Sequence, residues 1–476
     1  MIKSIHAPQI NTCFNKNRYL SLSFVAFSTL MATSAHAQQT DDERIKKLEQ
    51  RLLDLEKQVQ VQKKENSKHA KNKHSESNST PLSELPKTSQ RSSHDFDVPD
   101  KSIVLSHSNT TLQIGGQIWL DAIYDEGEMT NRAGFQTSSI AYEKNTTKDH
   151  TLFSAGQSKL SFKSYTPTSI GAMKTRFEFD MFDDQGNAAF HLTHLWGEIG
   201  DFGAGQTFSG FMDINSFPNV LDYWGPNSMV FTRQPQVRYS TDVSETGKIM
   251  FTIEKSSSDF ATPRVLPPGI DPSDYHEINE LPDITASYFH NGDFGYIKTS
   301  VLVRKLGYET VNVKETAIGW GVNVSGSITV NTEDTIQFQV VHGEGIGRYI
   351  NDTCCSYYSN EKEGFDTTQA TGGVDAGLDA NGGLNAIPIT AGFAYYNKQW
   401  SKKWSSAIGY SYLTVDNLAS QKDKAIKNST YASTNLIWYP VSQVKAGIEF
   451  LYGDIQSKSG FENDDYRIQT SVGFKY

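Results

Sequence analysis

Apolar and polar residues alternate with a period of two at the end of the chain, over 466–476. One face of this segment carries Tyr466, Ile468, Thr470, Val472, Phe474 and Tyr476. The other face carries Arg467, Gln469, Ser471, Gly473 and Lys475. Successive side chains of a β-strand point to opposite faces of its sheet, so the period predicts a strand with one apolar and one polar face.

The same alternation recurs from residue 102 onward and predicts about sixteen strands, an even number. The predicted strands are 112–124, 158–166, 171–183, 189–199, 202–208, 235–242, 247–255, 282–292, 294–304, 315–331, 335–346, 388–399, 403–415, 430–440, 443–453 and 465–476. Most are close to the ~9–11 residues that a tilted strand needs to cross the hydrocarbon of a membrane.

The connections between these strands alternate between short turns of about 2–4 residues and longer loops, mostly of about 10–40 residues, as in outer-membrane barrels. A soluble β-sandwich would also alternate apolar and polar positions, but it has no reason to sort its connections in this way. The fold class predicted is an all-β transmembrane barrel of about 16 antiparallel strands, with both termini on the periplasmic side. A barrel of this size encloses a lumen too wide to be filled by the side chains of its wall, which suggests a water-filled channel.

The composition agrees with this prediction, because about half of the residues in each predicted strand are polar. The chain of 476 residues is 37% hydrophobic and 12% aromatic, and its mean hydropathy is −0.50. A closed barrel pairs all backbone polar groups without long apolar runs. Trp400, Trp404, Trp438 and Tyr439 flank predicted short turns and are expected at a membrane interface. Ordinary core packing is the alternative for any one of them.

The beginning of the chain resembles a secretory signal peptide over residues 1–37. Lys3, Lys16 and Arg18 precede an apolar run, and Ala35-His36-Ala37 provides a cleavage pattern. Removal of these three positive charges, with no acidic residue among residues 1–37, changes the net charge from −10 to −13. An acidic exported chain is not expected to bind nucleic acid. We expect it in the outer membrane of a Gram-negative cell.

Residues 38–64 are predicted to form a short periplasmic coiled coil. Its heptad core consists of Ile45, Leu48, Leu52, Leu55 and Val59. Ile or Val at one core position and Leu at the other favours dimers, whereas the barrel argument favours trimers. A solvated amphipathic helix is the alternative. Residues 65–101 are polar and carry Pro81, Pro86 and Pro99, which indicates a flexible linker to a barrel domain at 102–476.

The third long connection, 209–234, is the candidate pore constriction. It is rich in polar and aromatic residues, and its candidate residues are Asp213, Asn215, Asp222 and Arg233. In trimeric porins the third loop folds into the barrel, and its acids then face basic side chains of the wall. The phase of the strands selects seven wall candidates, Lys159, Lys163, Lys174, Arg176, Arg238, Lys298 and Arg304. A Lys or Arg facing lipid at the midplane would cost ~2–4 kcal/mol, so these side chains are expected to face the lumen. For any one of them, an ordinary solvated lumen charge is the alternative.

The run GQTFSGFMDINSFPNVLDYWGPNSMVFTRQPQVRYS, 205–240, resembles the DcaP-like family of trimeric outer-membrane porins. The signal, the heptads, the strand LQIGGQIWLDAIYD and the aromatic end agree with that family. The resemblance implies a homotrimer that passes small anions such as dicarboxylates. It implies constriction roles for Asp213 and Asp222, and roles for Arg233 and Arg238 near the return of the loop. Where family members often have paired basic residues in the fourth strand, this chain has His191 and Thr193, which weakens the expectation of strong anion selectivity.

The terminal strand also resembles the signal read by the barrel assembly machinery, with Phe474 and Tyr476 as its aromatic residues. Cys354 and Cys355 are adjacent in a Gly-, Asp- and Asn-rich stretch and indicate only a surface-loop feature, with their oxidation state open. No zinc spacing such as CxxC or HExxH occurs, so no metal or cofactor is expected.

Two other functions are alternatives to a porin. An outer-membrane hydrolase would need a nucleophile, a base and an orienting acid on neighbouring positions of the wall. Ser209, His191 and His194 are present, but no triad spacing or nucleophile elbow occurs. An adhesin or structural barrel would use the acidic, Gly-rich loops 256–281 and 347–387. The prediction is therefore a passive channel without enzymatic activity.

Overall fold

The computed structural model describes residues 103–105, 109–142, 150–258, 260–261, 276–353, 375–379 and 381–476. All of them belong to one compact unit, 90–476. The predicted signal peptide, coiled coil and linker lie outside the described residues, as do Cys354 and Cys355.

Sixteen long strands form a closed antiparallel barrel. In chain order they are β1 Thr111–Asp125, β2 Lys159–Thr168, β3 Gly171–Asp180, β4 His191–Ile199, β5 Phe202–Phe208, β6 Arg233–Asp242, β7 Gly247–Glu254, β8 Asp283–Gly292, β9 Gly295–Glu309, β10 Lys314–Thr329, β11 Thr335–Glu344, β12 Pro388–Ser401, β13 Trp404–Val415, β14 Ile426–Trp438, β15 Val444–Ser457 and β16 Glu462–Lys475. The fold class predicted from the alternation is confirmed.

The barrel closes at β1, which has neighbours on both sides. Its first half pairs with β2, from Thr111 opposite Tyr165 to Gln117 opposite Lys159. Its second half pairs with β16, ending at Asp125 opposite Arg467. That second half also pairs with a short strand, His150–Ser154, which precedes β2. Each of the sixteen described long strands is therefore paired on both sides, as a membrane barrel requires.

Two connections on the loop side of the barrel are shorter than the alternation of short turns and long loops predicts. β9 and β10 are joined by 310–313, and β15 and β16 by 458–461. Both pairs of strands extend further on the loop side than the sequence suggested, because their ladders continue up to the turn. The turns at the other end are short, as expected.

Short elements accompany the sixteen long strands. The additional strands are Ile103–Val104, Phe260–Ala261, His276–Glu277, Ala376–Leu378 and Leu384–Ala386, and the 3-10 helices are Thr137–Ser139, Ile214–Ser216 and Gly347–Tyr349. Three of these strands form a separate small sheet. Leu378 and Leu384 of this sheet pack with Leu306 and Tyr308 of β9. Among the described residues, no helix combines the length and apolarity needed to cross a membrane.

The two faces of the barrel wall differ in polarity. On β16, Ile468 and Phe474 are exposed, whereas Arg467 and Gln469, on either side of Ile468, are fully buried. Exposed apolar side chains cover the outer face, as contact with lipid requires. At the short-turn end, the rings of Trp404 and Trp438 stack on that outer face with centroids 6.1 Å apart.

The inner face is less polar than the alternation suggested. Inward side chains of β9 and β11–β15 form a buried apolar cluster with the segment that follows β5. Phe393 and Tyr395 of β12 contribute from the wall, and Phe211 and Met229 contribute from that segment. One side of the barrel interior is therefore packed like a protein core, which leaves the side lined by β2–β6 as the more polar one.

Candidate functional site

The segment between β5 and β6, 209–232, lies along the inner face of the barrel. Most of its residues are buried, and its hydrogen bonds reach inward side chains of many strands. In order along the segment, wall partners of its backbone are Glu254, Lys298, Asn323, Gln337, Asn397, Glu449 and Gln469. These contacts run from β7 around the wall to β16, so the segment is fixed over most of the circumference.

A buried Glu–Lys pair holds the beginning of the segment. The Gly210 N–H donates to Glu254 Oε1 at 2.7 Å. Lys298 Nζ donates to the carbonyl oxygens of Gly210 at 3.1 Å and of Met212 at 2.6 Å. The ammonium and the carboxylate thus satisfy backbone groups that would otherwise be buried without partners.

A second Glu–Lys pair holds the middle of the segment from the opposite wall. The Asp222 N–H donates to Glu449 Oε2 at 3.0 Å, and the Leu221 N–H donates to the same oxygen. Lys445 Nζ donates to the Val220 carbonyl at 3.2 Å. The two anchors, Glu254–Lys298 and Lys445–Glu449, have the same chemistry. The sequence offered no motif for the first of them, since its members lie on different strands.

Asp213 and Asp222 point into the wall and not toward exposed cations, which differs from the expected opposition of loop acids and wall bases. Asp213 Oδ2 accepts hydrogen bonds from Tyr296 at 3.1 Å and from Ser325 at 2.8 Å. Asp222 Oδ2 accepts the hydroxyl of Tyr431 on β14 at 3.3 Å, and its Oδ1 accepts the N–H of Phe135, in the loop after β1, at 3.0 Å. Burial raises the pKa of Asp222, with the nearby Arg467 acting in the opposite direction. Both carboxylates are structural links between the segment and the wall.

Asn215 and Arg233 have different environments. The Asn215 N–H donates to Asp213 Oδ1 at 3.1 Å, and its carbonyl accepts from Gln337. The Arg233 guanidinium lies over the rings of Phe208, at 5.1 Å, and Phe231, at 4.9 Å. Phe231 also makes an edge contact with Phe217. These three rings therefore form a partly exposed aromatic row along the segment and its ends, with Arg233 of β6 over two of them.

Four cations lie on the inward faces of β2 and β3 and are here called the basic row: Lys159, Lys163, Lys174 and Arg176. Lys163 is directly opposite Arg176, and Lys159 is opposite Asp180. The side chains of Lys159, Lys174 and Arg176 are 41%, 23% and 17% exposed, and Lys163 is half-buried. These four predicted wall residues are therefore brought together and keep access to solvent.

Arg238, Lys298 and Arg304 are inward but buried. Arg238 Nη2 donates to the Phe208 carbonyl and to Gln236. Arg304 is paired with Asp283 at 3.2 Å and with Asp375 at 3.1 Å. Lys298 belongs to the first anchor. The structure thus divides the seven candidate wall cations into an accessible basic row and three buried residues that tie structural elements together.

A bulge in β4 changes which residues of that strand face inward. The register between β3 and β4 shifts at Glu178/Phe179, so His194 comes opposite Glu178 and His191 opposite Asp180. Thr193, in the bulge, donates through Oγ1 to the Glu178 carbonyl. His191 Nδ1 lies 2.8 Å from Asp180 Oδ1. The resemblance to the family pointed to His191 and Thr193, and the sequence considered His194 only as a base for the alternative hydrolase.

One buried carboxylate, Asp352, links the segment to two other loops. Asp352 Oδ2 accepts the Ser138 N–H at 3.0 Å, and Asp352 Oδ1 accepts Trp224 Nε1–H at 2.7 Å. The Thr137 hydroxyl donates to it as well. Burial raises the pKa of Asp352 to about 7, which these hydrogen bonds only partly offset. The position of Trp224 in the segment is thereby linked to two other loops.

A family model for the DcaP outer membrane protein matches residues 31–475, nearly the whole chain. The chain belongs to the DcaP family of outer membrane proteins. Among solved structures, the outer membrane channel DcaP of Acinetobacter baumannii is similar at 19% identity and a TM-score of 0.64, over 77% of this chain and 98% of that chain. OmpT of Vibrio cholerae is similar at 11% identity and a TM-score of 0.46, over 78% of this chain and 99% of that chain. A search among curated proteins gave no match.

The end of this DcaP-family chain completes the barrel seam. Phe474 lies opposite Ile118 of β1 and Val444 of β15, with its ring exposed on the outer face. Tyr476 exchanges backbone hydrogen bonds with Gly116, both at 3.3 Å. A Cβ on Gly116 would come within 2.3 Å of the Lys159 carbonyl oxygen, so this seam requires glycine.

Proposed function

We propose that this DcaP-family protein is an outer-membrane porin, a passive diffusion channel for small hydrophilic anionic solutes such as dicarboxylates. The observation that carries the proposal is the accessible basic row on the inner face of a closed barrel. Cations that keep contact with solvent inside a barrel attract small anions, because field lines are focused where the walls have a low dielectric constant.

The segment 209–232 is the proposed constriction. It is attached to the inner wall through the two anchors, and its aromatic row with Arg233 is the partly exposed side. A permeating solute would pass between that side and the basic row. Because Asp213 and Asp222 are turned into the wall, the segment would add little negative charge to the passage, and Arg233 at the start of β6 would add positive charge beside it. This arrangement would exclude small cations and admit anions.

The local charge supports anion passage despite the acidic chain. The cations outnumber the carboxylates on this part of the inner face. The five cations are Lys159, Lys163, Lys174, Arg176 and Arg233, and the three nearby carboxylates are Glu178, Asp180 and Glu198. Ion selectivity depends on the charges that line the narrow part of a pore and not on the net charge of the chain.

We further propose a homotrimer in outer-membrane lipid, with its N-terminal segment in the periplasm. The outer face of β2 and β3 carries hydroxyl groups among its apolar side chains, which would suit a subunit contact better than lipid. Ser164 and Thr175 form a pair there with oxygens 2.7 Å apart, and Thr110 and Thr166 form another at 2.8 Å.

Recording from purified protein in a planar bilayer under a KCl gradient tests the channel and its selectivity. The wild type should conduct, and a trimer should conduct in three coupled steps. Its reversal potential should have the sign of the Nernst potential of chloride. Arg176→Gln should lower the chloride-to-potassium permeability ratio by about twofold or more, since it removes a lumen charge.

Lys403→Gln, in the exposed turn between β12 and β13, is the matched control and should leave the ratio unchanged. Absence of conductance in correctly folded protein would reject the porin. Equal ratios in the wild type and Arg176→Gln would reject the role of the basic row.

A further inference from the structure

Glu178 lies within the basic row and is shared by two of its members. Its Oε2 is 2.9 Å from Arg176 Nη2, and its Oε1 is 3.7 Å from Lys159 Nζ. The side chain is only 7% exposed, whereas Lys159 is 41% exposed. A carboxylate of the protein thus occupies the place where the cations of the row converge.

Two arginine nitrogens on this side of the barrel keep donor capacity. Arg176 Nε and Arg233 Nε are both buried and have no hydrogen-bond partner among the described residues. Arg233 and Arg176 both lie close enough to His194 to interact with it electrostatically, and His194 is directly opposite Glu178. The group formed by Arg176, Arg233 and Lys159 therefore has more donor capacity than Glu178 alone can use.

We propose that Glu178 is a built-in competitor for the permeating anion, whose carboxylate occupies Arg176 and Lys159 between passages and yields them to a solute carboxylate. This inference rests on the proposed anion channel and adds the residue that sets how long a solute stays. A site of several cations without a counter-ion would hold a dicarboxylate too strongly for rapid transit, since conduction requires binding weak enough to permit release.

The geometry also indicates where a dicarboxylate would bind. One carboxylate would replace Glu178 at Arg176 and Lys159. The second would reach Lys163, which lies directly opposite Arg176 on β2. A monocarboxylate can make only the first of these contacts, so it should be held more weakly and be less sensitive to Glu178.

A purely positioning role for Glu178 predicts the opposite result. If the carboxylate served only to hold Arg176 and Lys159 in place, then removing its charge would disorder both cations. Solute binding would then weaken. The sign of the change in affinity separates competition from positioning.

The test uses succinate as the probe and full-length protein in planar bilayers. Succinate is titrated against the chloride current of the wild type and Glu178→Gln, and its apparent dissociation constant and residence time are taken from the block and the current noise. Glu178→Gln should lower the dissociation constant by about tenfold and lengthen the residence time, since each lost competing ion pair favours the solute. Acetate should show a smaller change.

Three further variants make the outcome specific. Glu178→Asp, which keeps the charge but shortens its reach, should give an intermediate tightening and serves as the test if Glu178→Gln does not fold. Glu198→Gln removes a carboxylate that is paired with Lys174, at 3.5 Å, and should change succinate binding less than about twofold. Glu245→Gln, in the exposed turn between β6 and β7, should have no effect.

Unchanged or weaker succinate binding in Glu178→Gln, or equal tightening in Glu198→Gln, would overturn the competitor role while leaving the channel intact. A wild type that neither prefers chloride nor responds to succinate would instead reject the proposed function itself.

Discussion

At the scale of single residues, the same charge type serves two purposes according to its burial. Arg304 and Arg467 are fully buried and paired with aspartates, Arg304 with Asp283 and Arg467 with Asp125 at 2.6 Å. Removing one partner of such a pair leaves an uncompensated buried charge, which costs about 3–5 kcal/mol. Members of the basic row keep solvent contact and so remain available for a solute. Burial, and not residue type, separates structural from candidate functional cations.

Strand phase was sufficient to place all seven candidate cations on the inward side, but it could not separate these two groups. The partners of Arg304 come from β8 and from a loop far along the chain. No local pattern connects those positions. The bulge that brings His194 inward was equally invisible, because one extra residue in β4 changes the phase without leaving a mark in the sequence.

Asp352 predicts a pH dependence of stability. Its pKa is raised to about 7 in the folded protein from an ordinary value of 3.8. The folded state therefore binds a proton that the unfolded state has already lost, and the stability contributed by this group falls as pH rises from about 4 through 7. Asp222, also raised, acts in the same direction.

Thermal unfolding in detergent between pH 5 and 8 measures this effect. Asp352→Asn should flatten the decline, while Asp416→Asn, at an exposed position, should retain the wild-type slope. An identical decline in Asp352→Asn and the wild type would show that Asp352 is not its source.

At the scale of elements, the period of two was enough to find every barrel strand, because each strand separates lipid from the interior. The predicted strand ends were less accurate where a ladder of hydrogen bonds continues beyond the barrel rim, as in β9 and β10. The apolar inward residues of β12 were not foreseen, since their partners come from the segment 209–232. The inward course of that segment was expected only by resemblance, and its attachment by the two anchors was not.

The first anchor predicts how the segment would loosen. Lys298→Met removes two hydrogen bonds from an ammonium to backbone carbonyls, each worth about 1.5–3 kcal/mol. The barrel ladders do not use this side chain, so the protein should still fold. Open-channel current noise should rise, and unfolding should occur at a lower temperature.

Lys305→Met is the matched control for that change. Lys305 lies on the same strand, but its side chain pairs with Glu280 on the loop side. It should leave the noise at the wild-type level. Quiet, wild-type currents in Lys298→Met would mean that the anchor does not immobilise the segment.

At the scale of the whole molecule, one seam closes the barrel, and the last residues of the chain form it. Deleting Tyr476 removes two backbone hydrogen bonds to Gly116 and an exposed terminal aromatic ring. We expect loss of folded protein from outer-membrane fractions, measured by heat-modifiable migration. Tyr476→Phe, which keeps both features, should assemble normally. Wild-type amounts of folded protein in the deletion would contradict an assembly role for the terminal aromatic.

The central claim is that the basic row makes the closed barrel an anion-selective pore. The most direct measurement is the reversal potential of the purified wild-type protein in a planar bilayer with unequal KCl on the two sides. The predicted result is a reversal potential with the sign of the Nernst potential of chloride. Arg176→Gln should move it toward zero, and Lys403→Gln should not. A potential on the potassium side, or no conductance from folded protein, would contradict it.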